Sequence, residues 1–217
     1  MRIRRKKWVD KELKECKFYL DSPLDQKGRW KEYFKNENKI CIELGCGKGS
    51  FIAKLAKANP NINYIAVDMI DTMLGLAKRN VENEYKENQI NNLVLVRIDV
   101  ERIFLILDKT DIIDRIYINF CNPWPKGKHR KKRLTYPKQL ELYKAFLKKG
   151  GEIHFKTDDR SLFEDSLQYF TQSGFEIIKQ TEDLHQNNIF ETNIITEHEE
   201  MFSSQGIKIK AIIARYI

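Results

Sequence analysis

The sequence lacks the long apolar runs of a membrane protein. Its 217 residues contain no uninterrupted apolar stretch of about 18 residues, the length that a helix needs to span a bilayer. The basic start, MRIRRKKW, is not followed by the apolar segment of a secretory signal. We therefore predict a cytoplasmic protein with no membrane partner.

Cysteine is scarce, and its spacing excludes the common zinc motifs. The four cysteines form no CxxC pair, and no histidine lies at the spacing of a zinc ligand set. Cys41 and Cys46 fall in or beside a predicted buried strand, where a free thiol packs as a small apolar group. We predict reduced cysteines and no bound metal.

Acidic residues are fewer than basic ones, which favours a polyanionic partner. The chain has 31 Asp and Glu against 39 Lys and Arg, so its formal net charge is +8. Five basic side chains lie in residues 2–7 and six in residues 126–133, KGKHRKKR, whereas residues 182–200 carry six acids and no Lys or Arg. This segregation favours a nucleic-acid-binding surface beside a separate acidic loop. The alternative is an ordinary solvated basic face.

Apolar patterning predicts an α/β fold with a doubly wound, mostly parallel sheet. Short runs rich in Ile, Val, Tyr and Phe alternate with longer amphipathic stretches. The predicted strands are 39–44, 63–68, 93–98, 114–119, 151–156, 175–180 and 207–216. The predicted helices are 50–58, 70–89, 138–149 and 160–173, with a short one at 101–107.

The end of the chain differs from this alternation. The last two strands have only the acidic loop between them, so we expect an antiparallel pair there. With no repeat and no linker-like stretch, we assign residues 1–217 to a single domain in which 1–35 is a basic N-terminal extension. Ligands of such sheets bind beyond the carboxyl ends of the strands.

The glycine-rich stretch ELGCGKG at 43–49 follows the first predicted strand. Gly45, Gly47 and Gly49 allow backbone conformations with positive φ and close approach to a ligand, and Ser50 is placed to cap the next helix. An ordinary tight turn is the alternative for a lone glycine motif.

Acidic residues at three successive strand ends make a nucleoside site the better interpretation. Asp68 ends the second strand, where a carboxylate accepts hydrogen bonds from ribose hydroxyls, and Asp99 ends the third, facing an expected adenine edge. An NAD site would need a small residue at 50, which Ser50 fits loosely, and a pyrophosphate disfavours the carboxylate of Glu43. S-Adenosylmethionine is cationic and has no phosphate, so the motif favours this methyl donor, with S-adenosylhomocysteine as product.

A dense stretch, NFCNPWPKGKHRKKRLTYPK, follows the fourth predicted strand at 119–138. Pro123 and Pro125 stiffen the backbone around Trp124, directly before the basic residues. A stiff aromatic loop beside a phosphate-binding patch is typical of a site that receives a nucleobase. The alternative is that Trp124 plugs the end of the core.

Three motifs together resemble one family. The string NPWPKGKHRKKRL resembles the DPWPKKRHxKRR signature of the bacterial tRNA (guanine-N7-)-methyltransferases. HFKTD at 154–158 is similar to that family's next strand end, and TEHEEMFSSQG at 196–206 to its TxYExxF segment. With ELGCGKGSF the resemblance covers most of the chain from about residue 40 onward. It implies a seven-stranded methyltransferase fold, S-adenosylmethionine as donor and a guanine of the tRNA variable loop as acceptor.

The resemblance also implies roles for single residues. Cofactor contacts fall on Glu43, Asp68, Asp99 and Asn122, beside the glycines at 45, 47 and 49; the catalytic positions are Asn122 and Asp158. Substrate contacts fall on Lys126, Lys128, His129, Arg130, Lys131, Lys132, Arg133, Asp158, Thr196, Glu197, His198 and Glu199. Of the basic residues, we assign Lys126 and Arg130 specifically to phosphate contacts. His154 alternates with apolar neighbours in a predicted strand and is assigned a structural role.

Three positions depart from the family pattern. Asp68 replaces Glu, His198 replaces Tyr, and Asn122 replaces the Asp that the family treats as catalytic. Guanine N7 carries a lone pair and no proton, so methylation needs alignment and nearby polar groups but no general base. We therefore expect an active enzyme, with Asp158 or Glu199 supplying negative charge.

Two alternatives and one open point remain from the sequence. Asn122-Pro123-Trp124 resembles the Asn-Pro-Pro-aromatic signature of methyltransferases that act on adenine N6 or glutamine amines, although Pro125 follows the aromatic residue. The loss of the family Asp also allows a non-catalytic RNA-binding protein on a methyltransferase fold. The sequence leaves open whether the chain is a monomer or a homodimer.

Overall fold

The predicted strands of the first half of the chain pair in parallel in the computed structural model, which describes residues 7–217. The described residues divide between Asp111 and Ile112 into two compact units. Of the basic cluster predicted at residues 2–7, only Lys7 lies within the described residues.

The first unit contains four strands in the order β1-β4-β3-β2, all parallel. Its elements are α1 (Lys7–Lys14), β1 (Tyr19–Asp21), α2 (Trp30–Phe34), β2 (Lys39–Leu44), α3 (Ser50–Ala58), β3 (Ile62–Asp68), α4 (Asp71–Tyr85) and β4 (Leu93–Arg97), with 3-10 helices at Leu24–Gln26 and Val100–Leu105. β2 and β3 are buried along nearly their whole length, as expected of parallel strands covered on both faces.

Residues 7–35 of the segment predicted as a basic extension form α1, β1 and α2 and pack into this unit. The Arg79 guanidinium of α4 lies 3.8 Å from the ring centroid of Trp8 in α1. The Trp30 side chain is fully buried and donates a hydrogen bond from Nε1 to the carbonyl of Ile106, at 2.7 Å. β1 is a strand in addition to the seven predicted. It was not predicted because its three residues are too few to give a periodic signal.

The second unit contains four strands in the order β5-β6-β8-β7. Its elements are β5 (Ile113–Asn119), a 3-10 helix at Gly127–Lys132, α5 (Pro137–Lys144), β6 (Leu147–Thr157), α6 (Arg160–Gln172), β7 (Phe175–Thr181), α7 (Glu197–Ser204) and β8 (Lys210–Tyr216). β5 and β6 are parallel, whereas β8 is antiparallel to both β6 and β7. The predicted α/β class, with a mostly parallel set of strands and an antiparallel C-terminal pair, is confirmed.

Two element predictions in this unit are wrong. The helix predicted at 138–149 ends at Lys144, and Leu147 instead pairs with Ile113 at the start of β6. The segment between β7 and β8 is not only a loop, since it includes α7. Within the described part of the chain, every helix is too short or too polar to cross a bilayer.

Candidate functional site

The three glycines of the 43–49 loop are needed for different structural reasons. All three have positive φ: +82° at Gly45, +54° at Gly47 and +70° at Gly49. A Cβ on Gly49 would lie 2.7 Å from the Cβ of Ala77 on α4, so this glycine permits helix packing. A Cβ on Gly45 or Gly47 would meet nothing within 4 Å. These two positions leave open space over the backbone, as a bound ligand requires.

The predicted cap at Ser50 is wrong. Ser50 is the first residue of α3, and Gly49 occupies the capping position without a side-chain hydrogen bond. The tight contact with Ala77 selects glycine there, so no side chain is available to cap the helix.

Carboxylates surround the loop in the first unit. Asp68 at the end of β3 accepts hydrogen bonds from the backbone N–H of Gly47, at 3.0 Å, and of Ile70, at 2.8 Å. Burial raises the pKa of Asp68, and these N–H donors oppose the rise. Glu43 is 2% exposed at the end of β2. Burial, and then the charges of Asp68 and Glu43, raise the pKa of the Cys46 thiol well above its usual value. The loop therefore carries a negative field that suits a cationic ligand.

Asp99 has a local structural function that the sequence did not reveal. Its carboxylate accepts a hydrogen bond from the backbone N–H of Glu101, at 3.0 Å, and caps the 3-10 helix at Val100–Leu105. Its second oxygen is not used by this cap. The predicted adenine contact remains a prediction.

Asn122 in the second unit is exposed, and its side chain is held in a local turn. Its Oδ1 accepts a hydrogen bond from the backbone N–H of Trp124, at 3.0 Å. Trp124 has φ +43° and Phe120, two residues before Asn122, has φ +51°. Two aromatic residues with positive φ in five positions store backbone strain, which is concentrated at functional sites in proteins.

Trp124 does not plug the core but supports the basic segment. It is only partly buried, and its ring contacts His129 edge to face, with ring centroids 5.6 Å apart. The Lys132 ammonium lies 5.0 Å from its ring centroid. Both partners lie in the 3-10 helix Gly127–Lys132. The indole therefore orders the segment whose lysines at 126, 128, 131 and 132 are exposed.

Arg133, predicted to contact tRNA, is instead fully buried. Its Nε donates to the carbonyl of Pro123, at 2.7 Å, and its Nη1 to the carboxylate of Asp165 on α6. Arg130 pairs with the same carboxylate at 3.1 Å while its side chain stays 44% exposed. Arg133 therefore ties the proline loop to α6, and of these two arginines only Arg130 is accessible to RNA.

The two neighbouring aspartates after β6, Asp158 and Asp159, differ in how their side chains are used. Asp159 caps α6 by accepting a hydrogen bond from the backbone N–H of Leu162, at 2.6 Å. The backbone carbonyl of Asp158 accepts from Lys210 Nζ at 3.0 Å, and no side-chain bond of Asp158 is found among the described residues. The partly buried Asp158 carboxylate is thus the one available for a ligand.

The segment 196–199 splits into two inward and two outward residues. Thr196 is buried and caps α7 by accepting from the backbone N–H of Glu199, at 3.0 Å. Glu199 is fully buried and pairs with Lys156 of β6 at 2.8 Å. Glu197 and His198 are exposed. Thr196 and Glu199, both predicted to contact substrate, are buried and bonded within the protein.

His198 contributes to an aromatic cluster with the end of β5. Its ring is stacked on Phe120, with centroids 5.8 Å apart and an interplanar angle of 19°. Phe202 of α7 lies 5.9 Å from Phe120 by the same measure.

His154 bonds to Glu152 at 2.9 Å and packs on Phe190, consistent with the structural role assigned to it.

Lys156 is the buried residue that sequence reasoning missed. It is 3% exposed. The available signal was a lysine inside a strand directly after the apolar Phe155, two positions before a strand-end aspartate.

Residues 7–217 contain no cluster of three or more His, Cys, Asp or Glu side chains suited to a metal ion.

Comparison with known proteins agrees with these features. A family described as putative methyltransferase matches residues 37–212. A tRNA (guanine-N(7)-)-methyltransferase of Clostridium perfringens is 56% identical over 218 residues, covering 99% of each chain. One of Clostridium beijerinckii is 55% identical over 216 residues, covering 99% of this chain and 98% of the relative.

Solved structures support the fold. A structure described as an antibiotic related methyltransferase superposes with a TM-score of 0.63 at 21% identity, covering 87% of this chain and 92% of the other. Because the sequence similarity extends over the full chain, which also carries the glycine loop and the NPWP segment, the chain belongs to the tRNA (guanine-N7-)-methyltransferase family.

Proposed function

We propose that this chain transfers a methyl group from S-adenosylmethionine to N7 of a guanine in the variable loop of cytoplasmic tRNA. The observation that carries the proposal is the loop at 120–126, called the Asn122 loop, in which Asn122 is exposed and Trp124 supports a segment of exposed lysines. The chain is also 56% identical to a tRNA (guanine-N(7)-)-methyltransferase of Clostridium perfringens. The loop supplies a place for a base and the lysines supply contacts to phosphates.

The residues of the first unit fit the methyl donor. Gly45 and Gly47 leave the backbone open to close approach, and the carboxylates of Glu43 and Asp68 favour the cationic end of the ligand and its ribose hydroxyls respectively. When bound, S-adenosylmethionine supplies an electrophilic methyl group on a sulfonium. A pyrophosphate would be repelled by the same carboxylates.

In the second unit, the residues orient the base and stabilise charge. Guanine N7 has an available lone pair, so no residue needs to remove a proton. The Asn122 side chain, fixed by Trp124, presents its amide N–H groups to the substrate. Asp158 provides the carboxylate that stabilises the positive charge that develops on the purine. Glu199 does not supply it, because Lys156 neutralises its charge in the interior.

The lysines exposed at 126, 128, 131 and 132, with Arg130, contact the tRNA backbone in this proposal. Such contacts supply affinity and register but carry little base specificity. The target base is then selected by the Asn122 loop, Asp158 and the exposed pair Glu197 and His198.

The amino-group alternative is disfavoured by the order of the motif. That chemistry uses an Asn-Pro-Pro-aromatic string, whereas in this chain Pro125 follows Trp124. The non-catalytic alternative leaves the open glycine loop and the buried Glu43 without a purpose. S-Adenosylmethionine should therefore raise the melting temperature of the protein.

The decisive experiment supplies methyl-labelled S-adenosylmethionine and unmodified tRNAs that have or lack a guanine in the variable loop. We expect label only in the first tRNA, and chain cleavage specific for 7-methylguanine should occur at that position. Label on adenine, or on the tRNA that lacks this guanine, would refute the proposal.

A further inference from the structure

A buried polar network joins the end of β6 to the segment before α7. The Lys156 ammonium donates to three acceptors: Asn193 Oδ1 at 2.6 Å, the Ile194 carbonyl at 3.1 Å and Glu199 Oε2 at 2.8 Å. Three donors therefore meet three acceptors. The ammonium also lies 5.3 Å from the ring centroid of Phe190.

Glu199 completes the network from the other side. Its Oε1 accepts from Asn193 Nδ2 at 2.8 Å, and His185 Nε2 lies 3.4 Å from the same oxygen. Asn193 is thus held through both ends of its amide, with its oxygen on Lys156 and its nitrogen on Glu199. A glutamine at 199 would place a second amide nitrogen against one of these donors, so the network selects a carboxylate.

The position of Lys156 connects this network to the substrate-facing residues. Its backbone carbonyl accepts from the N–H of Phe120 at 2.9 Å, so the same residue binds the end of β5. Phe120 carries the stacked His198 ring, and Asp158 follows two residues after Lys156. One buried lysine thereby connects the Asn122 loop, Asp158 and α7.

We infer that Lys156 and Glu199 form a buried anchor that positions Asp158 and His198 relative to the Asn122 loop, and that neither residue contacts the tRNA. Both are positioning residues. The ion pair is isolated from solvent, so removal of one partner leaves the other charge buried without compensation. This inference rests on the proposed function for its kinetic readout but not for its structural one.

The test uses Lys156→Met, Glu199→Gln and the double variant Lys156→Met/Glu199→Met in the full chain. Each single variant should lower kcat for tRNA by about tenfold or more, while the Kd values for S-adenosylmethionine and tRNA stay within about threefold of wild type. Measurements are made below the melting temperature of each variant. The matched control is Lys208→Met, which removes an exposed lysine whose ammonium lies 3.4 Å from the Asp183 carboxylate and should leave kcat unchanged.

The double variant separates positioning from stability. Replacing a buried pair by apolar side chains restores much of the melting temperature, because no lone charge remains. Under the anchor proposal kcat stays low, since Asn193 and Ile194 still lack their common donor. Recovery of kcat together with the melting temperature would overturn the proposal. So would a loss in Glu199→Gln with none in Lys156→Met, which would make Glu199 a substrate contact.

Hydrogen exchange gives a readout that does not depend on methyl transfer. Amides in residues 190–199 should exchange about tenfold faster in Lys156→Met and in the double variant than in wild type or Lys208→Met. Unchanged protection in that segment would overturn the anchor even if the chain methylated no tRNA. Faster exchange in a chain that methylates no tRNA would support the anchor and refute only the proposed function.

Discussion

At the scale of single residues, Asn122 occupies the position at which the motif resemblance implies a carboxylate. Its Oδ1 forms the turn with Trp124 N–H, a bond that either an amide or a carboxylate oxygen can accept. The substitution therefore preserves the turn and, in our proposal, removes one negative charge near the substrate. Asp158, whose side chain is not used by the helix cap, is the group that replaces this charge in our proposal.

Asn122→Asp should accordingly have a small effect on the reaction. We expect the single-turnover rate to change by less than about tenfold, or 1.4 kcal/mol, with unchanged tRNA affinity. Single-turnover assays with saturating S-adenosylmethionine measure this rate. Asn122→Ala is the matched comparison and should be slower, because it also removes the turn with Trp124. A gain well beyond tenfold in Asn122→Asp would instead mean that the natural chain is an impaired catalyst.

Residue types were predicted from the motifs more reliably than residue environments. The run at 126–133 identified the basic segment, but nothing in six basic residues distinguishes the buried Arg133 from its exposed neighbours. Its burial depends on the backbone carbonyl of Pro123 and on Asp165, which lies 32 residues further along the chain. The same holds for Glu199 of α7, whose partner Lys156 lies on β6.

At the scale of elements, local signals were sufficient where they were long and continuous. The predicted bounds of β2 and α3, 39–44 and 50–58, agree with the structure. The predicted helix at 138–149 extended too far because Leu147 continues the apolar face of α5, whereas pairing with Ile113 places it in β6. α7 was missed because its eight residues bury only Glu199, so they carry no apolar stripe.

The adjacent aspartates after β6 give a prediction at this scale. Asp159→Ala removes the cap of α6 and should reduce the free energy of unfolding by about 1 kcal/mol, with little effect on methyl transfer. Asp158→Ala should leave stability within about 0.5 kcal/mol and lower kcat by about tenfold or more. Denaturant unfolding and tRNA methylation assays on both variants measure the two effects. Equal loss of stability in both variants would contradict the assignment of the helix cap to Asp159 and of the substrate contact to Asp158.

At the scale of the whole molecule, the excess of basic charge is concentrated rather than spread. The formal net charge is +8, and the exposed basic residues Lys128, Arg130, Lys131 and Lys132 belong to one short helix that follows the Asn122 loop. Residues i and i+3 of a 3-10 helix lie on the same side, so Lys128 and Lys131 form one face. The sequence predicted this patch from composition alone, but only the structure identifies its support, the Trp124 ring.

Salt dependence tests whether this face binds phosphates. If Lys128 and Lys131 each neutralise a tRNA phosphate, the double variant Lys128→Met/Lys131→Met should reduce the slope of log affinity against log salt by about two. The control is Lys148→Met, an exposed lysine at the start of β6, at the opposite end of that strand from Asp158. Binding of unmodified tRNA is titrated at several salt concentrations for the three proteins. An unchanged slope in the double variant, or an equal change in the control, would mean that affinity comes from charge elsewhere on the molecule.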